Sequence, residues 1–516
     1  MDVMRNTQIM PLGFSMVRRY EFWATLVLLL LLCGLSVLFS QFIRQAHFPD
    51  GAPRPLGEGY PILGALRFFS DRYNMYFDGI SLSRTGSFSF YFGKHQIVGI
   101  SGLEGRKVFF QDKAMDLSQG YTLLLATTPS FRASPRPPDE SLHSSKWFRH
   151  TLAGMMSKDN LVANLLPMIK DTDTTFKDVT DPITDTGIVN IFEETSHIVY
   201  QSTMRVIGFN KIADSDELCS TTLKLFQCIE NGTSPSRIIF PWLPTPAFLR
   251  RLTAGIRLYR IFKRLIQVDE DTDQRIDDTS QSLARSGSPI EEIIGFVLGT
   301  LFASQVNTPI CAAWLLVYLA TNPHWLNLVR AEIDSVLKKH GDLDETPHET
   351  FGRLHIDVWE SEFPLIELCL RECIRLHLAG SAFRRNISGQ TVPIGSTGEV
   401  IPKDAYLFYL VDEVHFNPDI YPNPNLWDPG RYLPGAPRSN NIPLSYLGWG
   451  AGRHPCVGMR LAKLNVTVII TSFVSMFRFT LCNDRGEPVT EPPIPDRNLH
   501  SPRKPSVPLK LKVKRM

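Results

Sequence analysis

The chain has 516 residues, 43% of them apolar and 21% charged, a globular composition with room for one large domain or several ordinary ones. A formal net charge of +2 gives no electrostatic reason to expect nucleic acid as a partner. Eight cysteines are scattered without a CxxC pair, several inside apolar helical runs. That argues against a zinc cluster or a secreted disulfide framework, and for a reducing compartment.

Residues 1–21 form an N-terminal segment that carries Arg18 and Arg19. Residues 22–43 have no formal charge and LVLLLLLCGLSVLF at their centre. At about 1.5 Å per residue they span the roughly 30 Å hydrocarbon core of a bilayer, with Trp23 at one interface. A cleaved signal peptide would have a shorter apolar run and a small-residue cleavage site, so a retained transmembrane anchor is expected. Arg18 and Arg19 alone would keep the N-terminus cytosolic, so charge does not set the orientation. Residues 44–64 contain Pro49, Pro53, Pro55 and Pro61 and read as a stiff, non-helical hinge between membrane and body.

No linker divides residues 65–516, which read as a single mainly α domain with a minor β-sheet region. Phe88–Ile100 alternates apolar residues around a turn at Gly93–Lys94 and predicts a hairpin. From about Leu142 to Leu337 the periodicity is helical. Phe240–Leu252, FPWLPTPAFLRRL, is proline-broken, apolar and basic; contact with a bilayer and an ordinary packed connector both fit it.

The densest signal is WGAGRHPCVG, Trp449–Gly458. Gly450, Gly452 and Gly458 permit positive φ and close approach of the backbone to a flat ligand. Val457, Leu461, Leu464 and Val468 form a helical stripe, which puts Cys456 at or just before a helix N-terminus. Unpaired N–H groups and the positive dipole end there stabilise a thiolate, which could serve as a nucleophile or a metal ligand. Upstream, ECIR places Glu372 and Arg375 on one helix face, a pairing that by itself is usually a surface feature. WDPGRY, Trp427–Tyr432, adds Arg431.

Together these motifs resemble those of the cytochrome P450 superfamily. WGAGRHPCVG is similar to its haem-binding loop FGxGxRxCxG, with His454 in place of the arginine, as in sterol 14-demethylase-like members. WDPGRY is similar to FxPERF, with Gly430 where glutamate is commoner. The resemblance implies a P450 fold behind an N-terminal transmembrane helix, and haem b (iron protoporphyrin IX) as cofactor with Cys456 as the axial iron ligand. It implies cofactor contacts from His454, Trp449, Gly450, Gly452 and a basic residue of SAFRRNI, Arg384 with Arg385 as the competing choice. Glu372, Arg375 and Arg431 correspond to the buried structural triad behind the haem. Trp147 and Arg149 are candidates for the helix that crosses the haem edge, though a solvated basic face fits them equally.

The distal face departs from the pattern. Where the family usually has (A/G)GxxT preceded by an acid, ASQVNTP has Ala303, Ser304, Val306 and Asn307, with Thr308 following. That stretch resembles sterol hydroxylases and prostacyclin synthase, which insert oxygen and isomerise a peroxide respectively. Pro309 should open the helix by leaving the Gln305 carbonyl without its donor. Gln305, Asn307 and Thr308 would then line a polar notch suited to delivering a proton, or simply satisfy the broken backbone.

The resemblance thus implies a haem-thiolate monooxygenase acting on a hydrophobic small molecule, terpenoid, sterol or polyketide-like, in fungal secondary metabolism. NADPH-derived electrons would come from a partner reductase. An apolar pocket is expected around Phe302, Ala303 and Phe383. The protein is expected in the endoplasmic reticulum membrane, single-pass, with its catalytic domain in the cytosol. A reductase-independent isomerase or dehydratase, and a non-catalytic membrane haem or lipid binder, are the alternatives. Asn231, Asn386 and Asn465 head glycosylation sequons that a cytosol-facing domain would leave unused.

Overall fold

The computed structural model describes residues 45–60, 62–125, 138–180, 185–230, 245–271, 279–342, 344–378, 380–436, 442–498 and 504–516, with residues 23, 25–30 and 32 of the N-terminal region. Those N-terminal residues are helical, and Trp23, Val27, Leu28, Leu29, Leu30 and Leu32 are each more than half exposed. The rest of the expected anchor lies outside the described residues, as do Asn231 and the first half of FPWLPTPAFLRRL. Two other helical stretches, Ile290–Thr321 and Met459–Met476, are apolar and long enough to cross a membrane, but most of each is buried inside the domain.

The helices that frame the site are α1 (Gly102–Gln111), α2 (Pro138–Met155), α3 (Lys158–Lys177), α4 (Ile191–Ile207), α5 (Asp216–Glu230), α6 (Ile290–Gln305), α7 (Thr308–Thr321), α8 (Pro323–His340), α9 (Pro364–His377) and α10 (Met459–Met476). They bury one large apolar core in which α4, α7 and α10 are central. The break between α6 and α7 falls where Pro309 predicts it, with Asn307 at φ −116°, ψ −55°. Helix α9 starts at a proline and has no cap of its own; the Glu332 carboxylate of α8 accepts from the N–H groups of Leu365 (2.7 Å) and Ile366 (3.2 Å) instead.

Strands β1 (Phe88–Phe92) and β2 (His95–Gly99) form the expected hairpin around Gly93–Lys94. With β3 (Met115–Asp116), β5 (Ser381–Asn386) and β6 (Tyr406–Leu410) they make a five-stranded sheet ordered β1-β2-β6-β5-β3. A further strand, β4 (Thr186–Val189), joins the two C-terminal strands Phe477–Cys482 and Lys510–Arg515 in a second sheet. The proline-rich segment is docked rather than free. Leu56 N–H and Ser89 N–H exchange bonds with Ser89 O and Arg54 O, Ser89 Oγ reaches Pro53 O at 2.7 Å, and Tyr91 Oη reaches Ala46 O at 2.7 Å. Residues 46–56 are thereby fixed to the sheet.

Candidate active site

WGAGRHPCVG folds as a minimal hairpin, Gly450–Ala451 against His454–Pro455, that closes back on itself through Cys456 N–H to Trp449 O at 2.8 Å. Gly450 (φ +71°) and Gly452 (φ +59°) are both in the left-handed region. A Cβ at Gly450 would stand 2.5 Å from His454 O, and one at Gly452 2.1 Å from Phe110 O at the end of α1. Neither position admits a side chain. Arg453 N–H also donates to Phe110 O at 2.9 Å, pinning the hairpin tip to α1. Helix α10 begins immediately after Gly458, where a Cβ would meet open space.

Cys456 is thus delivered two residues ahead of the helix cap, and it is exposed. Its environment is nonetheless desolvating: burial raises the thiol pKa, and a hydrogen bond from Gly458 N–H works the other way. An exposed sulfur in a desolvated recess, donor-assisted and flanked by open space at Gly458, suits a cation that deprotonates its ligand.

Arg384 is the buried cation of this region. It is buried on β5, donates to Phe383 O at 2.8 Å, and lies over the Phe109 ring at 4.6 Å. Its Nε is buried without a partner among the described residues. Burial lowers its pKa to about 10, with Tyr121 and Asp116 opposing. Arg385, one step along the strand, is half-buried and leans on Asp404 instead. Burial first, then the charges of Arg384 and Arg149, lower the His454 imidazole pKa, so Arg384, Arg149 and His454 share one neighbourhood. A buried guanidinium with a free N–H beside a neutral histidine fits a carboxylate such as a haem propionate. Helix α2, which carries Arg149, also packs Trp147 and Phe148 edge-on against Phe296 of α6 at 5.8 and 5.3 Å. Two turns on from that contact Ala303 is exposed, and Asn307, at the break beyond the end of α6, is half-exposed.

Behind the loop lies the Glu–Arg–Arg group. Glu372 and Arg375 are fully buried and paired in a fork at 2.8 and 2.7 Å. Arg431 Nε reaches the same carboxylate at 3.1 Å, and Tyr432 Oη donates to it at 2.8 Å. Burial alone would lower the Arg375 pKa; the hydrogen bonds it donates to Glu372, the charge of that carboxylate and the nearby Tyr432 and Tyr421 together outweigh it. Arg375 also donates to the carbonyls of His415 (2.7 Å) and Pro424 (2.8 Å), and Arg431 to those of Pro422 and Asn423. The three charges therefore staple the 415–426 segment and the Pro429–Tyr432 turn to α9. Gly430, where glutamate is commoner, contributes its N–H to Asp428 Oδ1 at 2.9 Å.

The expected polar notch divides in the structure. Asn307 faces the open side, donating to Ala303 O at 3.4 Å, whereas Gln305 turns inward and its Oε1 meets Ser196 Oγ of α4 at 3.4 Å. Two residues along a helix are about 200° apart, so the two amides cannot share a face. Thr308 is buried at the first turn of α7. The expected pocket also needs correction. Phe383 is 1% exposed and stacks on Phe408 at 5.5 Å in an aromatic cluster with Phe68, and Phe302 packs edge-on to Phe226 of α5 at 5.0 Å. Of the three, only Ala303 is open. Trp449 turns its ring outward, lining a cavity of about 150 Å³ with Tyr446, Leu370, Arg371, Glu367 and Lys463. His415, unmarked by any sequence pattern, is the missed residue of this region: its Nε2 accepts from Leu447 N–H at the base of the hairpin. The sequon asparagines Asn386 and Asn465 are both buried and internally bonded, which closes them to glycosylation whatever the topology.

A cysteine shelf backed by a buried acid–arginine staple on a mainly helical body with small sheets defines the class. Residues 53–507 match the family model described as cytochrome P450, and the chain belongs to that family. It is a P450 monooxygenase. It is 31% identical to the cytochrome P450 monooxygenase AacuE of Aspergillus aculeatus, over 83% of this chain and 86% of that one. The monooxygenase claM of Passalora fulva is 29% identical over 88% and 85% of the two chains. Lanosterol 14-alpha demethylase of Bos taurus is 24% identical over 94% and 95%. A solved structure described as retinoic acid bound cyanobacterial CYP120A1 superposes with a TM-score of 0.69 at 19% identity, covering 91% of this chain and all of that one, and shows the shared fold.

Proposed function

We propose that this chain is a membrane-anchored haem-thiolate monooxygenase that oxidises a hydrophobic small molecule of terpenoid, sterol or polyketide type in fungal secondary metabolism. The observation that carries the site is Cys456, exposed in a desolvating recess ahead of α10 with the partnerless Nε of Arg384 nearby. Haem b, held by the Cys456 thiolate, supplies the activation of dioxygen with two electrons from NADPH through a partner reductase. Arg384 and His454 bind and orient the propionate edge. Gly450 and Gly452 keep the loop flat enough for the macrocycle to approach. The Asn307 amide and Thr308 hydroxyl are the candidates for holding a water and moving a proton on the distal side.

The hydrophobic substrate class rests on the exposed Ala303 beside the helix break and on the expected anchor, whose described residues expose Trp23 and five aliphatic side chains. A helix so apolar on every described face is suited to lipid, and the docked Ala46–Leu56 segment would hold the body close to that surface. This supports residence in the endoplasmic reticulum membrane with the domain facing the cytosolic reductase. Microsomes containing the chain and a reductase, fed candidate terpenoids, sterols and polyketides, should yield an NADPH-dependent product one oxygen heavier. Turnover of a peroxide without NADPH, and none with it, would contradict the proposal.

A further inference from the structure

Helix α4 meets the broken α6–α7 segment through three hydroxyl groups. The Thr195 hydroxyl, fully buried, lies 2.8 Å from its own-helix carbonyl at Ile191 and 3.0 Å from the carbonyl of Pro309 on the first turn of α7, so its single proton is shared between the two. Ser196 Oγ lies 3.4 Å from Gln305 Oε1, and Thr203 Oγ1 lies 3.2 Å from Ser304 Oγ. On another side of α4, Ser202 donates to Asn465 Oδ1 of α10 at 2.6 Å. One helix is therefore tied both to the element that follows Cys456 and to the break opposite.

The break needs such a tie. Proline at 309 has no N–H for the Gln305 carbonyl, so the turn loses a bond that would hold it in register. A turn opened this way bends more readily than continuous helix. Asn307 cannot fix its own direction, because among the described residues its amide makes only the long 3.4 Å bond to Ala303 O. Where Asn307 points is then set by where α7 restarts, and Thr195 is the side chain from outside that holds a carbonyl of its first turn.

We propose that Thr195 is a positioning residue of the distal face: its bond to Pro309 O fixes the register of the broken turn and thereby the direction of Asn307. The catalytic meaning of this bond rests on the haem-thiolate reading above; the mechanical claim does not.

The test uses the full chain with haem, as wild type and as Thr195→Val, Thr195→Ser, Asn307→Leu and Thr172→Val. Thr172 is a buried threonine of α3 whose hydroxyl, among the described residues, bonds only its own helix, at Met168 O, and serves as the control. In Thr195→Val, amide hydrogens from Ser304 to Leu315 should exchange roughly five- to tenfold faster, with Thr195→Ser restoring protection. The infrared stretch of carbon monoxide on the reduced protein should shift or broaden in Thr195→Val and in Asn307→Leu, and return in Thr195→Ser. The Soret band should stay at its thiolate position in all. The proposal is overturned if Thr195→Val leaves both readouts at wild type, or if Thr172→Val moves them equally. Loss of the thiolate Soret band in the wild type would instead count against the haem reading and leave the exchange result to stand or fall alone.

Discussion

The ring of His415 accepts a hydrogen bond from the backbone N–H of Leu447 at 2.9 Å, while Arg375 holds the carbonyl of the same histidine at 2.7 Å. Leu447 O in turn accepts from Gly450 N–H at 3.0 Å, so a continuous run of bonds joins the buried Glu372–Arg375 pair to the cysteine hairpin. Burial, and then the Arg375 charge, push the His415 pKa down to about 3, which keeps the ring neutral and its Nε2 available as an acceptor. His415→Ala should leave a buried N–H unpaired and loosen the hairpin, costing about 1–3 kcal/mol. Haem content and the fraction of thiolate-type carbon monoxide spectrum should both fall. Equal haem retention in the variant would refute this link.

Glu372 is fully buried and surrounded by two guanidiniums and a phenol. Glu372→Gln and Arg375→Lys should each cost on the order of 3–5 kcal/mol, because each leaves a buried charge with a poorer partner. Chemical denaturation of the purified variants measures this. A loss under about 1 kcal/mol would mean that the staple is dispensable.

Asp412 offers a pH handle away from the haem site. Its carboxylate oxygens are buried without hydrogen-bond partners among the described residues, and burial raises its pKa to about 7, with Arg497 and Arg72 opposing. A folded-state pKa above the unfolded one means that the folded chain holds this proton more tightly. The associated stability is present at low pH and is lost as pH rises through about 7. Asp412→Asn should therefore gain on wild type between about pH 5.5 and 8, by about 2 kcal/mol. Melting curves at the two ends of that range check it; a constant difference between the proteins would refute it.

Arg384 should matter for haem retention more than Arg385. Arg384→Ala removes the buried guanidinium that shares its neighbourhood with His454, and should weaken haem binding roughly tenfold or more at neutral pH. Arg385→Ala, at a half-exposed site leaning on Asp404, should change it less than twofold. Haem transfer to an apo-globin acceptor gives both rates.

The cysteine loop, the acid–arginine pair and the helix break were legible because each depends on residues close together in the chain. Gly450 and Gly452 announce their backbone angles, and Pro309 announces its missing donor. The facing of β5 was not legible: both sides of that strand are buried, so alternation alone could not say that Phe383 joins the Phe68–Phe408 cluster while Arg384 joins His454. The separation of Gln305 from Asn307 was not legible, because Pro309 marks where the helix breaks and not which way the side chains beside the break point. His415 and Thr195 carried no signal because their partners, Leu447 and Pro309, are distant in sequence and are engaged through backbone atoms.

The most direct test of the account is the carbon monoxide difference spectrum of the reduced protein, wild type against Cys456→Ala, at matched haem loading. The wild type should show the red-shifted Soret band of thiolate ligation and the variant should lack it. A variant that keeps that band would contradict the assignment of Cys456 as the iron ligand.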